Sequence, residues 1–217
     1  MDPSCRRILV VDEHPVIGSG LARLVEAQAG WSMVGTVCTR DAARAQVSRG
    51  AVALVVLEPA IQGLDGLGWI EEIAMHARVL CFSTLEENLL AERALRAGAR
   101  GYLMKTSGCE EVVAAMHTVL GGGIALSEAM RRRFIGRLAG VEPHGLAAGL
   151  AVLNNRELRV VHLLGANHSA RQIAACMHVS EKTVATHRQR IREKLRLASA
   201  RDLVRVAASW VGQDLLS

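Results

Sequence analysis

The sequence predicts two folded units: an α/β doubly wound unit with five parallel strands, then a small all-α unit. Three observations carry this. Short β-branched runs alternate with longer amphipathic stretches over the first 120 residues. The run from Val52 to Leu57 is continuously apolar, as a strand covered on both faces requires. Beyond residue 150 the pattern changes to four short capped helices. A chain of 217 residues holds one or two domains at roughly 150 residues each.

Taken in order, Ile8-Leu-Val-Val-Asp12 reads as the first buried strand. Pro15 to Gln28 reads as a helix, with Val16, Leu21, Leu24 and Val25 near helical spacing. Trp31 to Val37 is the second strand, and Asp41 to Ser48 an Ala-rich helix. After the Val52–Leu57 strand come a helix from Gly66 to His76, a strand from Arg78 to Phe82 and a helix from Glu86 to Ala97. Gly101 to Met104 is the fifth strand, and Ser107 with Glu110 forms a capping-box pattern before a helix ending at Leu120. Gly121-Gly-Gly123 closes the unit; a short helix from Ser127 to Leu138 follows. Gly140 to Gly149 has Gly, Pro and little periodicity, so it reads as linker. The boundaries expected are 1–125, a linker with its short helix over 126–150, and 151–217. In the last unit, Asn154 with Glu157, Ser169, Ser180, and Ser199 with Asp202 are the N-terminal caps. The helices they start run to about Leu164, Cys176, Arg196 and Trp210.

Composition narrows the function. No apolar run approaches the ~20 residues that cross a bilayer, and no signal-peptide core follows Met1. No membrane association is expected. Five scattered cysteines make no disulfide framework and no metal-ligand spacing, so the expected compartment is the reducing cytoplasm. Aromatic residues are 3%, too few for a stacking platform on single-stranded nucleic acid. Up to Met130 there are 11 Lys+Arg and 15 Asp+Glu; from Arg131 onward there are 15 and 6. An acidic front and a basic back imply different partners, nucleic acid being the natural one for the basic unit. The alternative is a solvated basic face with no partner.

In a parallel sheet, ligands gather at the carboxyl ends of the strands. Those ends hold Asp12 and Glu13, Glu58, Ser83 and Lys105. Carboxylates at one rim suit a hard cation such as Mg²⁺. A hydroxyl and an ammonium beside them suit a phosphoryl group. Val10-Val-Asp-Glu-His-Pro15, Leu64-Asp-Gly-Leu67, Ala97-Gly-Ala-Arg-Gly-Tyr-Leu-Met-Lys105 and the Gly121 run resemble a two-component response-regulator receiver over about residues 6–125. The resemblance implies a flavodoxin-like fold and a histidine kinase as phosphate source. It also implies Mg²⁺ on Asp12 and Glu13, phosphoryl reading by Ser83 and Lys105, and an aromatic switch at Tyr102.

One position departs from the pattern. The phosphoacceptor place holds Glu58 instead of Asp, followed by Pro59, and Ile61-Gln62-Gly63 stands where Met-Pro-Gly is usual. The extra methylene displaces the carboxylate by about a bond length, and in-line transfer is sensitive to shifts on the order of 1 Å. Phosphorylation of the ordinary kind is therefore not expected. Two readings of Glu58 follow. Its carboxylate enters the phosphoryl site, pairs with Lys105 and biases the domain toward its active state. Or the site is inactive, and the domain serves dimerisation or partner binding. A partly exposed ion pair contributes only about 0–1 kcal/mol, well short of the ~5.5 kcal/mol of a full population switch. His14 reads as loop packing beside the site, Cys81 as a core thiol, and Cys109 as a thiol near a helix N-terminus.

In the basic unit, the helix expected from Ser169 and the one from Ser180 stand close together, with Ile173, Ala174, Val179, Val184 and Ile191 as apolar face. This is a helix-turn-helix layout, whose second helix enters the major groove of double-stranded DNA. That helix carries Lys182, Arg188, Arg190, Arg192, Lys194 and Arg196. Leu153-Asn-Asn-Arg-Glu157, Gln172-Ile-Ala174, Val179-Ser-Glu-Lys-Thr-Val184 and His187 with Lys194-Leu195 resemble the LuxR-type DNA-binding domain of NarL/FixJ regulators, over about 153–211. The resemblance implies base contacts from Ala185, Thr186 and Gln189. Lys182, Thr183, His187, Arg188 and Arg190 would hold phosphates or flank the bases. It further implies a homodimer through the last helix, with half-sites about 10–10.5 bp apart. No nucleophile–base pair stands outside the receiver carboxylates, so no enzyme is expected. The reading is a DNA-binding transcription regulator acting largely without aspartate phosphorylation. The alternative is a partner-binding regulator whose receiver docks on a second regulator.

Overall fold

The structure is a computed structural model and describes residues 5–59, 61, 67–85, 87–138 and 152–214. The chain divides into two units, 1–133 and 134–217. The expected linker over 140–149 and the residues Gln62 and Gly63 lie outside the described residues.

The first unit alternates strand and helix: β1 Arg6–Val11, α1 Pro15–Glu26, β2 Trp31–Val37, α2 Arg40–Ser48, β3 Leu54–Leu57, α3 Leu67–Ala74, β4 Arg78–Ser83, α4 Glu87–Arg96, β5 Gly101–Met104 and α5 Cys109–Leu120. The sheet is parallel with strand order β2-β1-β3-β4-β5. Every residue of β3 is buried, as the apolar run requires. One side of the sheet packs Ile8, Val10, Leu54, Val56 and Leu80 against Leu21, Val25, Val112 and Met116 of α1 and α5. Gly18 lets α1 approach β2, because a Cβ there would stand 2.7 Å from Thr36. The strand order reverses between β1 and β3, which opens the ligand crevice of such sheets at their carboxyl ends.

Two local expectations change. Ser107 and Glu110 form no capping box: Gly108 is the N-cap of α5 and no side chain caps it. Ser107 N–H instead closes a turn onto the Met104 carbonyl at 3.0 Å. The third strand is also shorter: its register with β1 starts at Leu54, although Ala53 N–H already donates to the Arg7 carbonyl at 2.8 Å. Beyond α5, Ala125 bridges to the free edge of β5: Tyr102 N–H donates to the Ala125 carbonyl at 3.0 Å, and Ala125 N–H to that of Arg100 at 2.9 Å. Gly101 permits this approach, since a Cβ would meet the Ala125 carbonyl at 2.9 Å. Helix α6, Glu128–Leu138, begins after Ser127, whose Oγ accepts from Met130 N–H.

The second unit contains α7 Asn155–Gly165, α8 Ala170–Cys176, α9 Glu181–Lys194 and α10 Ala200–Asp214. Its caps fall where the sequence places them. Asn154 with Glu157 and Ser169 with Gln172 make reciprocal capping boxes, Ser180 caps α9, and Ser199 exchanges hydrogen bonds with Asp202. Helix α9 stops two residues before the expected Arg196. That residue turns to φ 54°, and Leu197 N–H closes onto the Arg192 carbonyl. The core gathers Leu153, Leu158, Val161, Ile173, Met177, Val184, Ile191 and Leu203.

Candidate functional sites

Sheet register assembles the first site. Val11 of β1 lies beside Leu57 of β3, so the next residues, Asp12 and Glu58, emerge together; Glu58 N–H donates to the Val11 carbonyl at 2.9 Å. Ser83 of β4 pairs with Met104 of β5, and Lys105 N–H donates to the Ser83 carbonyl at 2.8 Å. The Lys105 ammonium bridges two carboxylates, 2.6 Å from Asp12 Oδ2 and 3.1 Å from Glu58 Oε2. The side chains of Asp12, Glu58 and Lys105 are 2, 3 and 8% exposed. The pair is therefore buried, not partly exposed as expected. In that setting, losing one partner costs about 3–5 kcal/mol by stranding the other charge.

Each carboxylate has further partners. Glu58 Oε1 accepts the Ser83 hydroxyl at 2.7 Å, and Oε2 accepts Thr84 N–H at 3.1 Å. Ser83 Oγ in turn accepts Leu85 N–H at 3.1 Å, and the Leu85 carbonyl accepts the Tyr102 hydroxyl at 2.8 Å. Tyr102 is fully buried. One hydrogen-bonded path thus runs from Glu58 through Ser83 and Leu85 to Tyr102. Asp12 Oδ1 accepts His14 N–H at 2.8 Å and lies 2.9 Å from His14 Nδ1. His14 packs beside the pocket as expected. Burial, reinforced by the Glu58 charge, pushes the Cys81 thiol up, so Cys81 is an inert core residue. Among the described residues no group of three His, Cys, Asp or Glu side chains is placed to hold a metal.

In the second unit, α9 has two faces. Val184, His187 and Ile191 follow helical spacing into the core. The opposite side exposes Lys182, Ala185, Thr186, Gln189, Arg190 and Glu193; Thr183 and Arg188 are half-buried. His187 is the correction here. It is buried, and burial holds its imidazole below the usual value despite the opposing pull of the Glu157 charge. Its side chain packs toward the scaffold instead of standing on the exposed face. Several outward groups already have local partners: Thr186 Oγ1 donates to the Lys182 carbonyl at 3.0 Å, and Gln189 Nε2 to Glu193 Oε1 at 3.0 Å.

Comparison with known proteins decides the class. Residues 8–117 match the family described as response regulator receiver domain, and residues 151–207 the one described as bacterial regulatory proteins, luxR family. The virulence factors putative positive transcription regulator BvgA of Bordetella pertussis is 30% identical, over 93% of this chain and 96% of its own. The chain belongs to the LuxR-type response regulators. The response regulator UvrY of Escherichia coli is 28% identical, over 92% of each chain. A structure of RcsB from Salmonella enterica serovar Typhimurium, bound to promoter rprA with phosphomimetic BeF3-, shares the fold at TM-score 0.61. It is 17% identical, over 94% of this chain and 98% of that one. Like its family, this response regulator is a DNA-binding transcription regulator.

Two features of the regulator escaped sequence reasoning. The Glu157 carboxylate, 1% exposed, takes the Lys194 ammonium at 2.7 Å in addition to its expected place in the α7 capping box. Lys194 is thus tied to the scaffold and withdrawn from the free charge of α9. Arg192 Nη2 donates to the Ala198 carbonyl at 3.3 Å and braces the turn before α10. The partners lie 37 and 6 residues apart. The first separation leaves no local pattern; the Arg in the last helical turn signals the second.

Proposed function

We propose that this regulator binds its DNA targets without phosphorylation, because Glu58 occupies the place and the partners of a phosphoryl group. The observation that carries this is the contact of Glu58 Oε1 with Ser83 Oγ at 2.7 Å, continued to a fully buried Tyr102. The resemblance implies that Ser83 and Lys105 read phosphate and that Tyr102 responds. Here the same three residues already answer to a carboxylate.

Mg²⁺ fits this pocket poorly. The cation's natural place between Asp12 and Glu58 is held by the Lys105 ammonium, and both Asp12 oxygens have partners. Octahedral Mg²⁺ needs oxygen ligands that are free to turn toward it. The proposed regulator therefore requires no cofactor, and Asp12 and Glu13 serve as pocket residues. A catalytic role has no support in the rim chemistry.

At the DNA end, α9 enters the major groove. Ala185, Thr186 and Gln189 face the base edges, where Ala meets a thymine methyl and Gln pairs with adenine. Lys182, Thr183, Arg188 and Arg190 hold phosphates. DNA-bound RcsB supports this placement by fold. Homodimer formation through α10, where Val204 is exposed, would present two such helices to neighbouring half-sites. A receiver over 1–125, a linker over 126–150, a DNA-binding domain over 151–217 and a cytoplasmic location complete the reading. Among the described residues no helix is long and apolar enough to cross a membrane.

The test is a small phosphodonor with Mg²⁺, read by intact mass and by footprinting in parallel. The expected result is no phosphoryl adduct and the same footprint with and without donor. A phosphoryl adduct, or a footprint that appears only with donor, contradicts the proposal. A footprint that requires a second added regulator favours the partner-binding alternative.

A further inference from the structure

Between α2 and α3, away from the receiver pocket residues, the first unit has a half-open cavity of about 230 Å³. Val47, Trp69 and Ile73 give it an apolar side, Ser48 and His76 add polar groups, and Arg40 and Arg44 stand around Glu72 at the mouth. Three properties make it unlike a packing defect. First, a cavity of ~150 Å³ already admits benzene, so this one has room for a single ring with a small substituent. Second, Trp69 is 2% exposed, and its indole Nε1–H is buried without a hydrogen-bond partner among the described residues. A buried donor left unmade costs about 1–3 kcal/mol, and Trp indoles normally find an acceptor when buried. Third, the mouth carries a net positive charge. Arg40 donates to Glu72 Oε2 through Nη2 at 2.8 Å and through Nε at 3.1 Å. Arg44 donates through Nε to Oε1, and through Nη2 to Oε2 at 3.1 Å. One carboxylate thus orients two guanidiniums through Nε and Nη2, and among the described residues these bonds leave the Nη1 group of each unused.

We infer that this cavity is a binding site for a small apolar carboxylate, such as an aryl or short alkyl acid. The apolar body lies against Trp69, Ile73 and Val47. The carboxylate meets the Arg40 and Arg44 guanidiniums through their Nη1 groups, one charge-assisted donor from each arginine. An acceptor atom of the ligand completes Trp69 Nε1–H. Glu72 acts as a positioning residue that holds both guanidiniums at the mouth. The two arginines bring its carboxyl down to about 2, so it remains ionised wherever a carboxylate ligand is ionised. The site is independent of what Glu58 does.

The experiment uses the full-length protein, with ¹⁵N-labelled indoles and benzoate as probe. The indole resonance of Trp69, assigned from a Trp69→Phe sample, should shift saturably with benzoate. Benzyl alcohol, of similar shape and no charge, should bind at least tenfold more weakly. Arg40→Gln with Arg44→Gln, both at half-exposed positions, should weaken benzoate at least tenfold and leave benzyl alcohol unchanged. No shift up to tens of millimolar benzoate would overturn the assignment. Equal binding of the two probes, or benzoate binding indifferent to the arginine changes, would also overturn it by showing a merely apolar cavity.

Discussion

The receiver pocket and the α9 surface are both dense in charge, and they treat it in opposite ways. In the pocket, Lys105 is closed between Asp12 and Glu58, all three out of water, and each carboxylate oxygen has a partner. On α9, Lys182 and Arg190 stand in solvent, and the acidic Glu193 takes Gln189 as its hydrogen-bond partner. Buried and mutually neutralised charge fixes one arrangement, because any departure strands an ion in low dielectric. Exposed, uncompensated charge fixes nothing locally and is free to displace counterions from a phosphate backbone. The first region sets a state; the second meets a partner.

Breaking the pocket should have the largest effect. Lys105→Met leaves Asp12 and Glu58 facing each other without a cation and should cost about 3–5 kcal/mol in urea unfolding of the receiver. A loss below about 1 kcal/mol would mean that water or rearrangement supplies what Lys105 supplies. The contrast is sharpened by Lys194, a partly exposed basic residue of α9 whose ion-pair partner, Glu157, is buried. Lys194→Ala should destabilise the LuxR-type unit by about 1–3 kcal/mol, because the buried Glu157 loses a charged partner, and should leave the salt dependence of DNA binding nearly unchanged. A large change of that slope would return Lys194 to the DNA-facing set. Lys182→Ala is the reverse case. Stability should move by no more than about 0.5 kcal/mol, and the slope of log K against log salt should fall by about 0.9.

The smallest effect concerns His187. Burial lowers its folded pKa, so the unfolded chain binds the proton first as pH falls. The resulting stability is fully present above the ordinary value of about 6.5 and is lost as pH drops through the folded value. A pH series of thermal unfolding should show this decline below pH ~6.5, and His187→Leu should flatten it. An unchanged decline in the variant would assign it to other groups.

Much of this was legible in the chain. The ends of four apolar runs are occupied by Asp12, Glu58, Ser83 and Lys105, and a parallel sheet can only bring such ends to one rim. The caps at Asn154, Ser169, Ser180 and Ser199 were legible because a cap is a local pattern. Ser107 with Glu110 has the same spacing but fails, because the N-cap falls one residue later, at Gly108, and the helix begins at Cys109. His187 shows a signal available but overridden. Its spacing from Val184 and Ile191 places it on the core face, yet the family resemblance placed it at the DNA. The depth of the Glu58–Lys105 pair and the tie of Lys194 to Glu157 depend on tertiary packing, which no local periodicity encodes.

The most direct measurement is the affinity of untreated protein for its specific DNA site at fixed salt, beside the variant Glu58→Gln. Gln keeps the size of Glu58 but removes the charge that faces Lys105 and Ser83. If the Glu58 carboxylate holds the binding-competent state, the wild type binds specifically without any phosphodonor, and Glu58→Gln binds at least tenfold more weakly at an unchanged salt slope. Equal affinity of the two proteins would contradict the account and reduce Glu58 to a structural partner of Lys105.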